Sequence, residues 1–212
     1  MPRATIFGNK GTKWPKFRYP FPMRKHLTAL IAGGFAACVA LGVAQNAQRP
    51  SIVGAKVGDP SFEINAASSD GKTHTVKSLT EKGPVYLLFV KEVCSANGYA
   101  TPFFQKIFEA YGDKVKFYGV INADKAAHAK WKETYKGTWE TLYDPEKKII
   151  SGFGVRRSTP VIKIGKDGKV EKVFLGWGQE VLKELSADLA KEAKIAEKPV
   201  DLSGAPSGMR YG

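Results

Sequence analysis

Six consecutive residues, Val85 to Val90, are apolar or aromatic, and charge returns only at Lys91-Glu92. A run of this length lacks the alternation of a half-exposed strand and suits a central strand covered on both faces. That segment commits the chain to a layered sheet. Shortly after it comes Cys94, and from Pro102 the apolar spacing becomes helical, with Phe103, Phe104, Ile107, Phe108 and Tyr111 on one stripe. A helix therefore begins close behind the cysteine. A helix N-terminus carries unsatisfied N–H donors and about half a positive charge, which favour a thiolate. Cys94 is the candidate reactive thiol; the second of the two cysteines, Cys38, lies in a segment expected to stand apart from the folded domain. Asn97 occupies the position three residues on, where a partner cysteine would stand.

The other elements follow from period and punctuation. Residues 45–55 read as a polar linker, and the domain is expected to open at Val57-Gly58-Asp59-Pro60. Ser61 to Asn65 and Thr73 to Val76 flank Ser69-Asp70-Gly71-Lys72 as a hairpin, with a brief helical turn over Lys77 to Thr80. Val115 to Ile121 is a second inner strand, and Asn122-Ala123-Asp124 caps a helix running to about Tyr135. A short extended piece at Leu142-Tyr143 and a one- to two-turn helix through Ile150 follow. Val161–Ile164 and Lys169–Leu175 flank Lys166-Asp167-Gly168 as a second hairpin, and Gln179 to Lys194 is an amphipathic helix. The expected fold is α/β: a central mixed sheet with helices on both faces and an N-terminal hairpin extension, spanning residues 56–194. Residues 195–212, with their Pro, Gly and Ser, read as a flexible tail.

The formal charge of +13 is unevenly placed. Residues 1–50 hold eight of the 33 basic residues and none of the 20 acidic ones, leaving 25 against 20 in residues 51–212. Much of that lysine alternates with acid, so a solvated face is expected and nucleic-acid binding is not. The excess belongs with an export segment at 23–44. Met23-Arg24-Lys25-His26 is basic, Leu27 to Ala44 carries no charge, and Gly42-Val43-Ala44 supplies small residues for cleavage. A retained membrane anchor through residues 27–44 is the alternative, and Phe35-Ala36-Ala37-Cys38 loosely resembles a lipoprotein box. Either way the domain is expected in the periplasm or another extracytoplasmic space. Residues 1–22 form a basic, proline-broken extension, and translation is expected to start at Met23.

Taken together, Val57-Gly58-Asp59-Pro60, the apolar strand leading to Cys94, Pro102 and Ser158-Thr159-Pro160 resemble the thioredoxin-like redoxins. That superfamily includes the TlpA-type oxidoreductases and the AhpC/TSA peroxiredoxins. The resemblance covers roughly residues 56–194. It implies that Cys94 is the nucleophile and that Pro160 is a cis-proline facing it, exposing the backbone of Thr159 to an incoming chain. Asn97 departs from the two-cysteine pattern, although its amide can donate to a sulfur anion. The peroxiredoxin signature would need a proline at 87 and a hydroxyl at 91, where this chain has Leu87 and Lys91.

The expected site is thus Cys94, Asn97, Thr159 and Pro160. The expected activity is thiol–disulfide exchange through one cysteine, resolved by an external thiol, with a protein or small-molecule thiol or disulfide as partner. The alternatives are a catalytically degenerate thioredoxin-fold module that binds an envelope protein, and a single-cysteine peroxidase. No cofactor or metal is expected, because His74 and His128 stand away from Cys94 in sequence and no metal-ligand spacing appears. Trp131, Trp139 and Trp177 read as core or groove-lining residues. Arg156-Arg157 is a candidate contact for an acidic partner.

Overall fold

The computed structural model describes residues 52–212. The expectations for residues 1–22, for 23–44 with Cys38, and for residues 45–51 of the linker lie outside the described residues.

Strand β3 (Val85–Val90) is the middle of a five-stranded sheet ordered β5-β4-β3-β6-β7. β4 (Lys116–Ile121) and β5 (Glu140–Tyr143) run parallel to it, while β6 (Val161–Ile164) pairs antiparallel with β3 and β7 (Val170–Phe174) with β6. Every residue of β3 is buried, which explains its missing alternation. Tyr86, Leu88 and Val90 enter one core cluster; Val85, Leu87 and Phe89 enter another.

The first cluster is closed by α2 (Asn97–Tyr111) through Phe104 and Ile107, by α5 (Gln179–Ala193) through Leu182, Leu185 and Leu189, and by Trp131 of α3 (Lys125–Tyr135). The Tyr86 hydroxyl passes through this layer and donates to Asp188 Oδ1 at 2.6 Å, fixing α5 to the sheet. The second cluster is closed by α1 (Val76–Thr80) through Leu79, by α4 (Lys148–Gly152) through Ile149 and Ile150, and by Ile64 and Ala66. Ala66 belongs to a hairpin of β1 (Asn65–Ala67) and β2 (Thr73–Thr75). This is the expected mixed sheet with helices on both faces and an N-terminal hairpin.

Three boundaries differ from expectation. β1 starts at Asn65 rather than Ser61, because Pro60 bridges Lys169 and Ser61 N donates to Gly168 O at 2.8 Å, which ties that stretch to the β6–β7 turn. Residues 52–55 already belong to the domain. Arg156 N donates to Ile52 O, Gly54 N to Phe153 O, and Val53 is buried. Backbone crosses backbone there so closely that a β-carbon at Gly54 would stand 3.2 Å from the Gly154 Cα. Finally, residues 195–212 are packed rather than a flexible tail. Lys198 N donates to the Tyr111 hydroxyl at 2.9 Å, Val200 and Leu202 pack on the first cluster, and Ala205 is buried. Their loop-like composition conceals apolar residues too widely spaced to form a periodic stripe.

Candidate functional site

In an open sheet, ligands gather beyond the carboxyl ends of parallel strands. Here β3 and β4 end together, at Val90 and Ile121. β6 is antiparallel, so the residues before it arrive at the same edge. Leu88 faces Val161, Phe89 N donates to Pro160 O at 3.0 Å, and Lys91 N donates to Ser158 Oγ at 2.9 Å. This register places residues 158–160 beside the loop that carries Cys94.

That loop, residues 91–96, is clamped from three sides. Besides the Ser158 bond, Glu92 N donates to Asn122 Oδ1 at 2.8 Å, from the turn after β4. From α2, Asn97 Nδ2 donates to Lys91 O at 2.7 Å and more weakly to Glu92 O at 3.4 Å. Asn97 N also donates to Cys94 O at 3.1 Å, closing a turn around the cysteine. Cys94 is a half-buried free thiol. It stands two residues before Ala96, the N-cap of α2, which offers no side-chain acceptor to the first-turn N–H groups. The positive end of α2 is therefore left without a capping group beside the thiol.

The expected site residues come together, but three of their expected roles change. Asn97 is wholly buried and its amide N–H groups go to loop carbonyls, so it acts as a clamp rather than as a donor to sulfur. Pro160 is trans; the cis peptide bond lies one place earlier, between Ser158 and Thr159. Pro160 sits where β6 begins, and its carbonyl, the only hydrogen-bonding group its backbone has, is taken up by Phe89. Thr159 is buried, and beside it the Ser158 carbonyl accepts Gly212 N at 2.6 Å. Among the described residues, Asn97 Oδ1 and Thr159 Oγ1 are buried without a hydrogen-bond partner.

Other residues singled out from sequence lie in structural roles. Lys91 Nζ donates to Arg156 O at 2.6 Å, and Leu87 is buried in β3. His74 pairs with Asp70 at 2.9 Å, and His128 stacks against Trp131, where burial lowers its pKa. Trp131 and Trp139 pack in the core, and Trp177 stacks on Phe103. Among the described residues no group of His, Cys, Asp and Glu is placed to hold a metal. Asn122 and the Ser158 hydroxyl were missed as parts of the site. Their signal is positional, since Asn122 directly follows β4 and Ser158 stands three residues before β6, and it becomes readable only once strand order is known.

Two large apolar side chains close to Cys94 in sequence are exposed. Val93 is 90% exposed and Tyr99 69% exposed.

The sequence matches the AhpC/TSA family over residues 57–173. Among solved structures, the chain is similar to a thiol:disulfide interchange protein from Bacteroides sp., at 20% identity and TM-score 0.55, over 68% of this chain and 94% of that one. It is similar to the thioredoxin domain of a thiol-disulfide oxidoreductase from Bacteroides vulgatus at 20% identity and TM-score 0.53, over 63% and 96%. It is also similar to the peroxidoxin BcpB from Mycobacterium tuberculosis at 18% identity and TM-score 0.52, over 67% and 99%. No curated protein matches the sequence.

Proposed function

The chain belongs to the AhpC/TSA family, and on that premise we propose that it is an exported thiol–disulfide oxidoreductase that works through Cys94 alone. The observation that carries this reading is the clamped loop, which holds one half-buried thiol at the uncapped N-terminus of α2 and beside Ser158. The thiolate of Cys94 attacks one sulfur of a partner disulfide. A bond forms between Cys94 Sγ and that sulfur, the partner S–S bond breaks, and the other sulfur leaves as a thiolate that takes up a proton from water. Asn97 supplies no second sulfur, so an external thiol attacks the mixed disulfide, joins the partner sulfur and releases Cys94. Thiol and disulfide are exchanged with no net oxidation of the protein.

Peroxidase chemistry is less favoured, because Leu87 is core and the Lys91 ammonium is held by a carbonyl. Export is supported by the basic stretch at 23–26 followed by the uncharged run to Ala44. Among the described residues no helix is long and apolar enough to cross a membrane.

The test follows transfer of isotope-labelled glutathione into unlabelled glutathione disulfide at millimolar concentration, and separately the mass of protein exposed to glutathione disulfide without glutathione. The expected result is turnover and a trapped adduct on Cys94, both lost in Cys94→Ser. A thiol that stays unreactive both in the full chain and in a chain ending at Pro206 would instead leave a binding module on the same scaffold. Recovery of a mature chain beginning near Gln45 from the extracytoplasmic fraction checks export.

A further inference from the structure

Residues 206–212 run back across the site. Gln179 N donates to Pro206 O at 2.9 Å, and Arg210 pairs antiparallel with Trp177 through bonds of 2.7 and 3.0 Å. The Arg157 guanidinium lies over the Tyr211 ring, 5.5 Å from its centroid. The segment ends with Gly212 bound to Ser158 O, where a β-carbon would overlap the Cys94 sulfur and stand 2.9 Å from the Ala96 Cβ. Thus the backbone of residues 210–212 runs from the bridge at Trp177 to Ser158, and the side-chain direction at 212 points at the thiol. Glycine is the one residue that fits there without meeting the sulfur.

We infer that residues 206–212 are a built-in occupant of the substrate groove, and that the groove takes an extended polypeptide whose cysteine sits where Gly212 sits. This rests on the proposed exchange at Cys94 and specifies its substrate class as a protein disulfide. The backbone groups of Trp177 and Ser158 hold such a chain without regard to its sequence, as an added strand is held. Apolar Val93 and Tyr99, exposed close to Cys94 in sequence, stay on the body of the domain when the strap leaves. Displacing the strap opens a surface of protein-binding character. By contrast, a cavity of about 520 Å3 lined by Lys82, Lys114 and Lys116 opens by the start of β4, at the other end of the sheet. The strap holds the thiol covered until a partner chain replaces it.

The experiment compares the rate at which iodoacetamide alkylates Cys94 in the full chain, in a chain ending at Pro206, and in full-length Arg210→Pro, which lacks the N–H that Trp177 O accepts. A covered site whose open state is about 3–10% populated gives a rise of about tenfold to thirtyfold on uncovering. Both variants should show such a rise, and a synthetic peptide of residues 206–212 should restore protection to the shortened chain. In addition, Gly212→Cys should close a disulfide between Cys94 and the introduced thiol under mild oxidation, seen as loss of both thiols and two mass units. An unchanged rate in either variant, no protection by the peptide, or two free thiols in Gly212→Cys each overturns the inference. These readouts need no turnover. A strap that opens on a thiol inert to glutathione disulfide would sink the proposed exchange alone.

Discussion

Asn97 carries more of the site than its lack of sulfur suggests. Its side chain holds the carbonyls of Lys91 and Glu92, and its backbone N–H closes the turn on Cys94. A turn of this kind keeps residues 94 and 97 within about 7 Å between Cα atoms, close to the range of about 4.4–6.8 Å that a disulfide spans. Asn97→Cys should therefore form an internal disulfide in a glutathione buffer and release the partner thiol in a single turnover without an external resolving thiol, while further turnovers still need added thiol to reduce the pair. The same change strips two carbonyls of their donor and should lower stability by about 1–3 kcal/mol in urea denaturation. Mass analysis of the quenched protein checks the first outcome. The position of Cys94 was legible because an apolar run and a helical stripe meet there. The duty of Asn97 was not, because its partners are backbone groups of the preceding loop, and composition does not show where a carbonyl points. Pro160 shows the same limit. Its place before β6 was readable, whereas its pairing with Phe89 of β3 and the position of the cis bond, one place earlier between Ser158 and Thr159, were not.

At the scale of elements, the strands and helices followed their periods, while the ends that depend on distant partners moved. β1 shifted because the β6–β7 turn captures residues 60 and 61, over a hundred positions away in sequence. The hairpin itself is held by a local charge. Partial burial pushes the Asp70 carboxyl up, but hydrogen bonds from Ser68 Oγ, Lys72 N and His74 outweigh this and hold it down at about 2. An acid held below the usual value, near 3.9, stabilises the fold above that value and loses its contribution as pH falls toward 2. Loosening of β1–β2 between about pH 4 and 2 is expected, with the Asp70 carbon signal titrating at its low midpoint. Ser68→Ala should move that midpoint up. A hairpin unchanged across this window would show that apolar packing at Ala66 holds it alone.

Across the whole molecule, the C-terminal residues do two separable jobs. Up to Ala205 they cover α2 and α5, through Val200, Leu202 and the Tyr111–Lys198 bond. Beyond Pro206 they lie over Cys94. A chain ending at Lys194 should lose about 2–5 kcal/mol of stability, the scale of exposing two or three apolar side chains. One ending at Pro206 gives up the backbone bonds of Trp177 and Ser158 and the exposed Arg157–Tyr211 contact, and should lose about 1–2 kcal/mol. Equal losses in urea titrations would join the two jobs into one. The packing of 195–205 was hidden in sequence because it lines no periodic face and meets partners some ninety residues away. Because the strap is tethered to the groove it fills, it acts at a local concentration on the order of millimolar for a short linker. A small disulfide free in solution at lower concentration is held off, while a protein that grips several points of the groove competes on equal terms. The last seven residues thereby work as a threshold, and what they select for is length of contact rather than reactivity.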